Sequence, residues 1–219
     1  MKNENRKSVE GLRVYLLRHG QTDYNAAHVV QGGGIDSRLN ATGRQQALAF
    51  YRRHRTASFR ALHSSALRRT QETLAPFREE GYSLQVHAGL NEYHWGVFEG
   101  RPFDEALQKE IAPIREAWAA GDFDYRVPGG ESPREVWERA HAALQTIVEE
   151  NTNGNVLICT HGRMLRIILS NLVGAGLHEM QNIRHHNAAL NVLRKTTAGF
   201  AAELLNDTSH LSPELASRP

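Results

Sequence analysis

Val14-Tyr15-Leu16-Leu17-Arg18-His19-Gly20-Gln21-Thr22 is the stretch whose reading decides the fold. A short apolar run that stops at arginine, histidine and glycine reads as a buried strand with polar groups at its carboxyl end. A second stretch has nearly the same design: Val156-Leu157-Ile158-Cys159-Thr160-His161-Gly162-Arg163. In a parallel sheet, ligands bind beyond the carboxyl ends of the strands. If the two strands are near neighbours, both imidazoles face one pocket.

The chain between and around these two strands alternates helix and strand signals. Strands are expected at Leu12 to Leu17, Phe59 to His63, Leu84 to His87, Val156 to Cys159, Ala188 to Arg194 and Phe200 to Leu204. Thr42-Gly43 starts a helix running to about Arg53. Ser64-Ser65 offers an N-cap for a second, reaching about Glu80 and interrupted by Pro76. Helical periodicity spans Phe103 to Ala120. Ser132-Pro133 with Glu135 opens a helix to about Glu150, and another covers Met164 to Leu172. Arg18 to Leu39 is a long loop, of the kind that usually carries function. This alternation implies an α/β fold with a largely parallel sheet. We expect a single domain over 1–219, with a core at about 12–211 and loose tails at both ends.

Composition narrows the partners. The net charge of +2, from 26 basic and 24 acidic residues, is too balanced for a nucleic-acid binder. The single cysteine, Cys159, allows no internal disulfide. The polar N-terminus lacks a signal-peptide core, and no apolar run is long enough to span a bilayer. A cytoplasmic protein with no membrane or nucleic-acid partner is expected. Twelve histidines invite a metal reading, but H-E-x-x-H and C-x-x-C are both absent, and His54, His63, His87 and His94 lack ligand spacing. His185-His186, read as part of a strand, would place its rings on opposite faces. No metal and no cofactor are expected.

A lone histidine at a strand end is more often structural than catalytic; two in matched settings reverse that balance. Arg18 sharpens the choice, because a guanidinium repels a divalent cation and welcomes an oxyanion. Gly20 and Gly162 allow a backbone N–H to approach a ligand. Arg69, opening the helix after the second strand, can point at the same crevice. Taken alone, it reads as a solvated helix arginine, and Glu92 alone reads as a loop carboxylate.

Together these residues resemble the histidine phosphatase superfamily, also called phosphoglycerate mutase-like. Arg18-His19-Gly20-Gln21-Thr22 with Asn25 resembles its signature, and the likeness continues through Gln31-Gly32, Asp36, Leu39, Thr42-Gly43 and Gln46-Ala47. Ser65 to Thr70 with Thr73, Leu90-Asn91-Glu92, Gly129 to Ser132, and Thr160-His161-Gly162 follow in the family's order, with Asn187 and Leu205 to Leu211 also similar. The resemblance implies a three-layer α/β/α fold and a phosphohistidine intermediate on His19, fixed in its tautomer by the Gly20 carbonyl. It implies Arg18, Arg69 and His161 as the phosphoryl clamp, with Asn25, Gln31, Gly32 and Gly162 completing the phosphate site. Glu92 would then be the proton donor. The implied partner is a small phosphorylated metabolite.

Mutases and phosphatases of this family share those residues. Cofactor-dependent mutases typically have Glu after the R-H-G, a tryptophan before the asparagine, and an insertion ahead of the Gly-Glu-Ser block. Here Gln21, Tyr24 and a compact Asn91–Glu131 segment stand instead, which favours a phosphomonoesterase. The alternatives are a phosphoglycerate mutase and a non-catalytic binder of phosphorylated ligands. Arg101 and Arg163 are candidates for reading a second anionic group. The aromatic stretch from Tyr93 to Tyr125 is a candidate lid, with Trp118 reading as helix packing.

Overall fold

Alternation along the strands sorts the core into two layers. On the first strand, β1 (Leu12–Arg18), Leu12, Val14 and Leu16 join one apolar cluster while Tyr15 and Leu17 face the other. The strand β4 (Gly154–Thr160) divides likewise, Val156 and Ile158 to one side, Leu157 and Cys159 to the other. This two-residue period is what a sheet buried on both faces requires. The computed structural model describes residues 11–216; Met1–Glu10, expected as a tail, lies outside them.

The other strands are β2 (Phe59–Ser64), β3 (Leu84–Val86), β5 (Leu190–Thr196) and β6 (Gly199–Asp207). They form one six-stranded sheet in the order β3-β2-β4-β1-β5-β6. The first four in that order run parallel, and β5 pairs antiparallel with both β1 and β6. The expected α/β fold with a largely parallel sheet is therefore present.

Among the described residues seven α-helices accompany the sheet: α1 (Asp23–Ala26), α2 (Ala41–His54), α3 (Arg68–Thr73), α4 (Ala75–Glu79), α5 (Glu105–Ala119), α6 (Pro133–Glu150) and α7 (Gly162–Leu172). Phe50 of α2 and Phe77 of α4 fill one layer. Trp118 of α5, Ile147 of α6 and Leu165 of α7 fill the other. Trp118 is a packing residue, as its spacing predicts, and its indole N–H donates to the Tyr125 carbonyl at 2.9 Å. The start of α6 is set by the expected capping box between Ser132 and Glu135, with Pro133 in the first turn. None of the helices among the described residues is long and apolar enough to cross a membrane.

Four local readings change. Ser64-Ser65 does not cap a helix: α3 is capped from Leu67 without a side-chain bond, and Ser65 turns its hydroxyl inward. The single helix expected to Glu80 is two pieces, α3 and α4, with Pro76 in the first turn of the second. The long loop contains α1, held by a Thr22–Asn25 capping box. The fifth strand starts at Leu190 rather than Ala188, because Ala188 adopts a left-handed φ of 55° that a strand cannot contain. His185 and His186 therefore lie in a loop, not on opposite faces of a strand. Beyond residue 211, where a loose tail is expected, the Leu215 carbonyl accepts from Gln46 at 2.7 Å; His210, at the end of the expected core, packs edge-on against Phe50 at 5.3 Å.

Candidate active site

Register puts the two His-Gly corners side by side. Arg18 pairs with Thr160 in the parallel β1–β4 ladder, so His19 and His161 each follow the last paired residue of adjacent strands. Their ring centroids are 5.2 Å apart, and both rings are buried. β2 lies on the other side of β4, with Ser64 opposite Cys159. Chain leaving β2 thus delivers Ser65 and Arg69 to the same corner.

The His19 ring has a defined tautomer. Its Nδ1 lies 2.7 Å from the Gly20 carbonyl, which can only accept, so Nδ1 carries the proton and Nε2 keeps its lone pair. That Nε2 has no hydrogen-bond partner among the described residues, and His19 lines a cavity of about 510 Å³. Burial, then Arg69 and Arg18, hold the imidazole pKa well below its usual 6.5, so the ring is neutral at pH 7. The Gly20 turn sits directly on α2. A Cβ on Gly20 would lie 2.5 Å from the Gly43 carbonyl, and one on Gly43 would overlap the Gln21 backbone. Gly20 N–H donates to Thr73 at 3.0 Å and Gln21 N–H to Gln46 at 2.8 Å, fixing the loop.

His161 is wired differently. Arg69 Nε donates to its Nδ1 at 3.1 Å, and guanidinium groups cannot accept, so the His161 proton sits on Nε2. Nε2 then donates to Ser65 Oγ at 2.7 Å. Burial and the neighbouring Arg69 keep this ring neutral as well. Arg69 is fully buried; its terminal nitrogens donate to the carbonyls of Ile35 at 2.6 Å and Gly32 at 3.2 Å. Three of its five N–H groups are thus engaged. Gly32, expected in the phosphate site, acts here through its carbonyl on Arg69.

Arg18 donates from one terminal nitrogen to the His185 carbonyl at 2.7 Å, while its buried Nε has no partner. Gly162 lets that guanidinium close in: a Cβ there would meet its central carbon at 3.2 Å. Burial lowers the pKa of Arg18 and of Arg69 to about 10, against the opposing pull of Glu92, and both remain charged. Asn25 has its oxygen occupied by Thr22 and Asn187, which leaves its amide N–H groups for the cavity it lines. The Gln31 oxygen is likewise taken, by Thr22 at 2.8 Å and Ser37 at 2.9 Å.

Glu92 reaches the same cavity from the segment after β3. Its Oε1 accepts from the N–H groups of Tyr93 at 2.8 Å and Met164 at 3.0 Å, and its Oε2 from Arg163 N–H at 3.1 Å. Two of these donors are the orphan amides of the first turn of α7. Arg139 of α6 secures the segment. It donates to the carbonyls of Gly89, Asn91 and Glu92 and pairs with Glu131 at 2.7 Å. That makes Glu131, in the Gly-Glu-Ser block, a support for Glu92.

The structure brings His19, Arg18, Asn25, Gln31, Glu92 and Gly162 to the cavity wall, with Arg69 and His161 behind His19. Sequence reasoning did not assign Arg115, Arg166 or His185 to this cavity, though all three line it. Arg166 lies three residues after Arg163 on α7, so the helix period alone aligns the two. Arg101, a candidate for a second anion, pairs with Glu110 at 2.6 Å and is not in the wall; Phe103 is. Among the described residues, no three His, Cys, Asp or Glu side chains converge as metal ligands.

A neutral imidazole with a free lone pair, flanked by guanidinium groups and a carboxylate at the end of a parallel sheet, is an arrangement suited to an oxyanion. Residues 14–208 match the histidine phosphatase superfamily (branch 1), and the chain belongs to that family. The chain is 34% identical over 206 residues to a probable phosphoglycerate mutase, GpmB, of Salmonella choleraesuis, covering 91% of this chain and 95% of the relative. Among solved structures it resembles Bacillus stearothermophilus YhfR, with a TM-score of 0.80, 26% identity, and 91% and 98% of the two chains covered. A mycobacterial glucosyl-3-phosphoglycerate phosphatase in complex with VO3 gives a TM-score of 0.77 and 26% identity, covering 90% and 99%.

Proposed function

We propose that this protein is a metal-independent phosphomonoesterase acting on a small phosphorylated metabolite through a phosphohistidine on His19. The observation that carries the reading is the His19 tautomer: Nδ1–H tied to the Gly20 carbonyl, Nε2 unpartnered beside Arg18. In the first step Nε2 forms a bond to phosphorus as the ester P–O bond breaks. Glu92 gives its proton to the departing alkoxide. In the second, water attacks the phosphohistidine, Glu92 takes the proton back, and inorganic phosphate leaves as the P–N bond breaks. The proton belongs on Glu92 Oε2, the oxygen with one backbone donor rather than two. Arg18 neutralises the phosphoryl oxygens from the cavity wall, Arg69 adds its positive charge from behind His19, and Asn25 is a neutral donor. His161 orients Arg69, and it reaches a phosphoryl oxygen only if its Nε2–H leaves Ser65.

Mutase activity is the second reading, favoured by the names of the GpmB relatives. Gln21, Tyr24 and the compact Asn91–Glu131 segment support hydrolysis over transfer. The test is turnover of p-nitrophenyl phosphate with a chelator present. Activity should survive the chelator and fall by about five orders of magnitude in His19→Ala, the scale of nucleophile deletions. Loss with the chelator, or an active His19→Ala, contradicts the proposal.

A further inference from the structure

The cavity carries more positive charge than one phosphoryl group can use. Arg18, Arg115, Arg163 and Arg166 line it, and Glu92 is the sole carboxylate in its wall. In the first step Glu92 carries its proton, so the wall presents four positive charges. A phosphoryl dianion at His19 cancels two of these, so two remain.

The surplus is concentrated on the side built by α5 and α7. Arg115, Arg163 and Arg166 also line an adjoining depression of about 510 Å³, together with Gln181, Ala119 and exposed Glu116. None of the three arginines makes an ion pair among the described residues. Arg115 stacks over Phe103 at 5.6 Å and leaves its buried Nε without a partner. Arg163 stacks over Trp95 at 5.1 Å and donates to the Gln181 oxygen at 2.9 Å, while the Gln181 amide nitrogen is buried without a partner among the described residues. Arg166 has no hydrogen-bond partner among the described residues. Burial and mutual repulsion pull Arg163 down to about 9, in keeping with cations crowded together. Two aromatic rings thus hold two guanidinium groups in place, and the unsatisfied buried atoms of Arg115 and Gln181 are both donors. Orphaned buried donors converging with unpaired cations call for an anion.

We propose that Arg115, Arg163, Arg166 and Gln181 form a second anion site, and that the preferred substrate carries a second phosphate besides the ester that is cleaved. The proposal rests on the phosphomonoesterase reading of His19. A second phosphate suits the site better than a carboxylate, because two charges remain and three forked donors exceed what one carboxylate accepts.

The test compares α,ω-alkanediol bisphosphates of increasing length with the matching hydroxyalkyl phosphates and ω-carboxyalkyl phosphates, using the full chain. At the best length, kcat/KM for the bisphosphate should exceed that of the hydroxyalkyl ester by about 30-fold, mostly through KM, as expected for charge-assisted hydrogen bonds. In the double variant R115Q/R166Q the ratio, read within that one enzyme, should fall to within about threefold. A wild-type ratio near one at every length, or a ratio unchanged in the double variant, overturns the site. Preference for the carboxylates overturns its assignment to phosphate. If no ester is hydrolysed, the catalytic reading has failed on its own, and calorimetry on His19→Ala judges the site. The bisphosphate should then bind about tenfold more tightly than the hydroxyalkyl phosphate, with the gain lost on adding R115Q/R166Q; equal affinities overturn it.

Discussion

At the end of β1, His19 gives one nitrogen to the Gly20 carbonyl beside it and keeps the other for the cavity. At the end of β4, His161 has both nitrogens engaged, one by Arg69 and one by Ser65. The two corners share an apolar strand, a histidine and a glycine, and their ladder positions are level. What separates them is the chain that follows. After Gly20 the loop lies flat on α2, and the nearest acceptor to His19 is its own neighbour's carbonyl. After Gly162 a helix begins, its first amides go to Glu92, and the His161 ring turns toward the residues arriving from β2. One sequence pattern therefore produces an imidazole with a free lone pair and an imidazole with both nitrogens engaged, and hydrogen-bond partners decide which is which.

Substitutions can break that comparison. Replacing His19 with Ala should have the largest effect, about five orders of magnitude in kcat, whereas a merely structural His19 would cost far less. Next comes Arg69→Gln, which removes a preorganised cation and should lower kcat about a hundred- to a thousandfold in the same assay. Ser65→Ala should act mainly on stability. It leaves the His161 Nε2–H buried without a partner, at a cost of about 1–3 kcal/mol measured by urea unfolding. If it instead matched His19→Ala in rate, the assignment of roles to the two corners would be wrong.

Acid sharpens the picture with a smaller effect. His19 is held well below 6.5, so kcat/KM should show no acid limb near that pH; a limb at 6.5 would mean the ring is not held neutral. Stability should nonetheless fall. Burial lowers His54 and His63 to about 4, so below 6.5 the unfolded chain binds more protons than the folded one. Their contribution is present above pH 6.5 and is lost as pH falls toward 4, which thermal unfolding at pH 7 and pH 5 will register as a lower midpoint at pH 5.

Much of this was legible in the sequence because strand ends are punctuated. An apolar run closed by Arg18-His19-Gly20 states where the strand stops and which polar groups stand beyond it, and the Ser132-Glu135 capping box is equally local. Arg115, Arg166, Gln181 and His185 were not legible, because each is ordinary in its own surroundings. They gather only when α5, α7 and the loop before β5 close on one cavity. Ser65 misled for a related reason: serine ahead of a helix usually caps it, but here a buried imidazole competes for its hydroxyl and wins. Ala188 shows the same override, since its left-handed backbone, next to the bond it donates to the His19 carbonyl at 3.1 Å, ends a run that composition alone would extend.

The most direct test is to trap the intermediate. The enzyme is mixed with a phosphate ester, quenched in base, where phosphohistidine survives, and mapped by peptide mass spectrometry. Phosphate is expected on the peptide containing His19 and none on the peptide containing His161. Phosphate on His161, or steady hydrolysis with neither histidine modified, would contradict His19 as the nucleophile.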